Sequence, residues 1–131
     1  MLPGIEAAGV GVYTGCMMLF MFEEMLRKLD LSQDQLKGLR ERLIPDNICK
    51  GPFLQGDKKC PITTALVIKE GPDTLKDAAQ VRARLRNYGI GTVELMLFYA
   101  LFDIPAIISD IFFKRSIMTM HTAIDELIEV A

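Results

Sequence analysis

The sequence has no tryptophan, a single histidine (His121) and hardly any net charge, fifteen basic and seventeen acidic residues leaving −2 at neutral pH. Each shortage excludes something. Nucleic-acid binding is disfavoured, because it calls for a basic footprint. One histidine among three cysteines, with no C-x2-4-C or H-x3-5-H pair, gives no zinc-ligand spacing. A diiron carboxylate bundle needs two E-x-x-H motifs, and Met118 stands three residues before His121. No G-x-S-x-G elbow is present. Gly4, Gly9, Gly11 and Gly15 miss the dinucleotide pattern because Thr14 occupies its last glycine position, and no βαβ unit succeeds it. No catalytic residue, metal or cofactor is assigned on these grounds.

Three cysteines are an odd number, so they cannot all pair within one chain. Cys16, in an apolar run, reads as a small buried hydrophobe. Cys49 and Cys60 flank KGPFLQGDKK and would meet if that segment is compact. Reduced thiols and a cytoplasmic setting are the expectation. The start, MLPGIE, lacks the basic residues of a secretion signal. The uncharged run between Glu6 and Glu23 is 16 residues, short of the roughly 20 that a spanning helix needs. Integral membrane insertion is therefore disfavoured, although residues 5–26 keep a membrane-associated reading open.

What the sequence does have is apolar surface. Half of the 131 residues are hydrophobic and mean hydropathy is +0.26, which excludes a disordered polar chain. The length suits one domain. The expected fold is all-α, a single domain over 1–131 with five or six helices in an orthogonal or bundle-like arrangement. Long N- and C-terminal helices flank it, and one loop covers 45–60. Charge is uneven, with net −3 over 1–26, +5 over 27–86 and −4 over 87–131. The expectations are solvated faces, pairing between middle and ends, or an anionic partner.

The first helix is expected over Ile5–Asp30, burying Leu19, Phe22, Met25, Leu26 and Leu29. Ser32 and Gln35 form a capping box for the second. Its buried stripe is Leu36, Leu39, Leu43 and Ile44, and Pro45 ends it. Phe53 and Leu54, on the loop, are expected to fold back onto the body or to anchor a partner. Pro61 opens a third helix that Gly71 closes. Asp73 or Thr74 caps a fourth, with Leu75, Ala78, Ala79, Arg82 and Leu85 on one side and Val81 and Tyr88 extending the apolar flank, and Gly89 closes it. The fifth, TVELMLFYALF, is apolar nearly all round and is expected to be buried. Asp103 caps the last helix, with Pro105 in its first turn, a kinked continuation being the alternative. Glu94 sits in a first turn, and Asp110 is the least explained acid.

These features support four functional readings. Phe113, Ile117, Met120, Ile124 and Leu127 are spaced as an a/d seam, and Ala7, Gly11 and Gly15 form a small-residue stripe. Together they suggest a non-enzymatic interaction or regulatory module whose partner is a second copy of itself, with His121 flanking the seam as a structural or pH-responsive residue. Met17, Met18, Phe20, Phe98 and Phe102 suggest a pocket for an apolar small molecule or acyl chain. Peripheral or integral membrane association through residues 5–26 is the third reading. Lys58, Lys59, Arg82, Arg84 and Arg86 form a candidate anionic-partner patch, with 61–88 resembling a helix-turn-helix for weak DNA binding.

Overall fold

Amphipathic periodicity organises the described residues into six helices. The computed structural model describes residues 3–50, 54–55, 58–71 and 77–130, and within these the side chains of all but 3–15, 55 and 130. The helices are α1 (Pro3–Leu29), α2 (Gln33–Arg42), α3 (Pro61–Glu70), α4 (Ala78–Asn87), α5 (Thr92–Ile108) and α6 (Asp110–Val130). Among the described residues the only strands are β1 (Leu54–Gln55) and β2 (Lys58–Lys59), a two-residue antiparallel ribbon pairing Leu54 with Lys59 and Gln55 with Lys58. The domain is all-α, bundle-like on one side, and the chain turns by 118° between α4 and α5.

Local chemistry sets the ends. The Ser32 hydroxyl accepts from the Gln35 N–H, and the Gln35 side chain accepts from the Ser32 N–H, so the capping box forms. Cys60 caps α3 ahead of Pro61, and Gly71 ends it at φ +98°. Gly89 comes after α4 at φ +83°. Both glycines occupy the left-handed region, which a side chain would strain. His121, half-buried on α6, donates from Nε2 to the Leu43 carbonyl at 2.7 Å. It thereby satisfies a carbonyl at the end of α2 that lacks a helical partner.

The core lies where α6 packs against α1, α2 and α5, with α3 closing on α1 and α2. Phe22, Phe98, Phe102 and Phe113 form a chain of ring contacts through it, at centroid distances of 5.7, 6.1 and 5.8 Å. Phe113, Ile117, Met120 and Ile124 are all buried, and Leu127 packs partly buried against the core. The a/d seam is therefore spent inside one chain and is not a free oligomer face. A long helix with apolar residues every three or four positions serves an intramolecular groove as well as it serves a partner.

Several expectations are corrected. Cys16 is exposed. Leu43 and Ile44 lie beyond α2, and Ile44 points to solvent. The α4 cap is Asp77, whose carboxylate accepts from the Gln80 N–H at 2.9 Å. Asp73, Thr74 and Leu75 lie outside the described residues, as does Phe53. Val81 and Leu85 form the buried side of α4, while Ala78, Ala79 and Arg82 are exposed. Asp103 caps nothing. The helix runs through it and through Pro105 to Ile108, the continuous alternative, and breaks only at extended Ser109. The Ser109 hydroxyl accepts from the Ile111 N–H, starting α6 one residue later.

Uneven charge is consumed by pairing of middle and ends. Lys28 reaches Glu94 at 3.0 Å, and Arg40 grips Asp125 at 2.8 and 3.3 Å. Lys50 pairs with Asp110 while lying 5.0 Å from the Phe113 ring centroid. Each pair joins the basic middle to the acidic segment after residue 87.

Candidate interaction surface

The side of α5 away from the core is apolar. Val93, Met96, Leu97, Ile104, Ile107 and Ile108 are exposed, Val93 at 72% and Ile107 at 71%. Val93, Leu97, Ala100, Ile104 and Ile107 are spaced 4, 3, 4, 3. At about 100° per residue they stay within a narrow arc, flanked by Met96 and Ile108. The strip is about 21 Å long, at about 1.5 Å per residue. Ile111 and Phe112, exposed in the first turn of α6, adjoin its end in sequence. All the large side chains on the strip are uncharged, because Glu94 turns to Lys28 and Asp103 is buried. The expectation that this helix is buried is thus corrected. Only its Leu95, Phe98, Tyr99, Phe102, Asp103 and Ala106 side is covered.

Sequence reading misses this strip because Pro105 resembles the start of a new helix, which cuts the strip in two. The 4-3-4-3 spacing is present in the letters, and only continuity across Pro105 reveals it.

The other candidate sites divide. Ala7, Gly11 and Gly15 lie on the helical backbone of α1, but their side chains fall outside those described. The five pocket residues are not brought together. Met18, Phe98 and Phe102 are sealed in the core, whereas Met17 and Phe20 are exposed. With Cys16 and Met21 the latter two line a groove of about 300 Å³ on α1. The anionic-partner patch also splits. Lys58 and Lys59 line a shallow cavity of about 310 Å³ with Arg42, Asp46, Asn47, Thr64 and Val67, and no α4 residue lines it. On α4, Arg84 lies 3.6 Å from Glu70, and Arg86 donates to the Thr92 hydroxyl at 3.5 Å. Arg82 is exposed on the same helix.

Buried polar groups are few. Asp103 is buried with Oδ1 lacking a hydrogen-bond partner, and burial pushes its carboxyl up to about 6. Glu23 is raised to about 7, first by burial and then by hydrogen bonding and charge from Glu126 on α6. Glu70 accepts from the Tyr88 hydroxyl at 3.1 Å, while its other oxygen is buried without a partner. Asp110 is held below the usual carboxylate range by its hydrogen bond to Lys50 and by that ammonium's charge.

Cys60 Sγ lies 3.1 Å from Thr63 Oγ1 and 3.5 Å from the Tyr99 hydroxyl, whose ionisation is pushed far up by burial and by the neighbouring thiol. Among the described residues no three His, Cys, Asp or Glu side chains converge as metal ligands. Nor is any single described helix long and apolar enough to cross a membrane. No protein-family model, curated protein or solved structure matches the chain.

Proposed function

We propose that the protein is a non-enzymatic interaction module working as a homodimer, two copies joined through the exposed face of α5. The observation that carries this is the uncharged 4-3-4-3 strip from Val93 to Ile107. Such spacing is self-complementary, since the same side chains act as knobs and holes when two copies meet about a two-fold axis. Burying an aliphatic side chain is worth about 1.5–3 kcal/mol, or roughly 60–120 Å² at about 25 cal/mol per Å². Val93, Met96, Leu97, Ile104, Ile107 and Ile108, with Ile111 and Phe112 beyond them, offer roughly 500 Å² at their observed exposure. That lies within the about 300–600 Å² of the largest apolar patch on a typical monomer, a patch that is often functional. With the surrounding rim it approaches the about 800 Å² per partner of a stable interface.

A membrane surface is the less favoured occupant. Helices that lie in a lipid interface carry Lys and Arg on their polar flank, and α5 has neither. A reducing, cytoplasmic setting suits three thiols of which none is in a disulfide.

Light scattering after size-exclusion chromatography tests the proposal. The expected result is a dimer at micromolar concentration that Leu97→Glu and Ile104→Glu each convert to a monomer with unchanged helical circular dichroism. A wild-type chain that stays monomeric across the concentration range overturns it. So does pelleting with neutral phosphatidylcholine vesicles in place of self-association.

A further inference from the structure

Ile48 and Lys59 form a parallel bridge. The Lys59 N–H donates to the Asn47 carbonyl at 3.3 Å, and the Cys49 N–H donates to the Lys59 carbonyl at 3.1 Å. The next residues along the two segments are Cys49 and Cys60. Continuing that register by one residue sets Cys49 opposite Cys60 at about the 4.8 Å spacing of neighbouring strands. Residues opposed in a parallel pair project to the same face, and both cysteines project inward, 1% and 0% exposed. The Tyr99 hydroxyl lies 3.5 Å from Cys60 Sγ, and Cys49 adds a small part to the upward push on its ionisation. A disulfide needs Cα atoms about 4.4–6.8 Å apart and converging Cβ vectors. The bridge supplies the backbone spacing, and burial of both side chains puts them on the same inward side.

We propose that Cys49 and Cys60 are a buried redox dithiol that closes reversibly to an intrachain disulfide, pinning the connection between α2 and α3 onto the N-terminus of α3. The oxidant is a small-molecule disulfide such as oxidised glutathione. Opening of the Ile48–Lys59 bridge exposes one cysteine, whose thiolate attacks a sulfur of the glutathione disulfide. A mixed disulfide forms and one glutathione thiolate leaves. The second cysteine thiolate then attacks the protein sulfur of the mixed disulfide, forming the Cys49–Cys60 bond and expelling the second glutathione. Two electrons pass from the cysteine pair to the glutathione disulfide, and the two thiol protons end on the two released glutathiones. Cys16 takes no part, being exposed on α1.

The test treats the reduced, full-length chain with oxidised glutathione under native conditions, with intact mass and peptide mapping as the readout. Cys16 serves as the internal reactivity standard. The expected product has lost two hydrogen atoms at Cys49 and Cys60, and its unfolding midpoint rises by roughly 10 °C for a loop of this length. Dithiothreitol reverses both changes. The Cys16→Ser variant behaves like wild type, and Cys49→Ala yields no linked product. Three results overturn the proposal. One is stable glutathione adducts at Cys49 or Cys60 in place of the link. Another is no reaction there once Cys16 is fully modified. The third is a linked product whose midpoint falls.

Discussion

Glu23 and Asp103 hold carboxyl groups largely withdrawn from water. Their ordinary values are 4.5 and 3.8, and in the fold they are raised to about 7 and about 6. Between those limits the folded state binds more protons than the unfolded one, so stability falls as pH rises from about 4 to about 7. For Asp103 the loss amounts to about 2–3 kcal/mol. The Asp103→Asn variant, which keeps the shape and loses the charge, should therefore equal wild type near pH 4. By about pH 8 it should exceed wild type by about 2–3 kcal/mol in urea unfolding. A difference independent of pH would mean that Asp103 is neutralised by a partner. For Glu23 the same direction holds, and Glu23→Gln should also relieve its repulsion with Glu126. Neither acid can be placed from the letters alone. Asp103 precedes Ile-Pro and resembles a cap, and only burial on the core side of a continuing helix tells the two apart.

Helix α6 carries the seam that sequence periodicity detects at once, yet its partner is α1, α2 and α5 of the same chain. Truncating Ile117 to Ala should cost about 2–4 kcal/mol in chemical denaturation, as for other buried aliphatics. The folded fraction should keep its oligomeric state. A loss of dimer without a loss of stability would return the seam to the surface. On α2, removing the Ser32 hydroxyl by Ser32→Ala should cost about 1 kcal/mol, the usual worth of such a cap, in the same assay.

Much at this scale is legible in the sequence. The capping box, Pro61, Gly71 and Gly89 each declare a helix end by local chemistry. What stays hidden is which side of an apolar helix faces inward. In α5 nearly every position is apolar, so the pattern carries no contrast, and tertiary contacts with α1 and α6 decide the matter. Proline compounds this, because the helix tolerates Pro105 where the rule of thumb ends one.

For the whole molecule, the charge asymmetry visible in composition has a concrete use. Lys28–Glu94, Arg40–Asp125 and Lys50–Asp110 join one half of the chain to the other. Their side chains are largely solvated, so each pair adds little to stability and weakens with salt. They favour one relative placement of the helices more than they stabilise it. If the α5 strip joins two copies, mass action makes the unfolding midpoint rise with protein concentration. Differential scanning calorimetry over a hundredfold range should show that rise for wild type and none for Ile104→Glu.

The packing of α6 onto α1 also has a consequence in time. Eighty residues separate the end of α1 from the start of α6. At about 5–20 residues per second, a ribosome needs roughly 4–16 seconds to make them. Throughout that interval Phe22, Met25, Leu26 and Leu29 have no finished groove to enter. The nascent chain thus presents a bare apolar helix for seconds, long enough for a chaperone, or the same helix on a neighbouring ribosome, to reach it first.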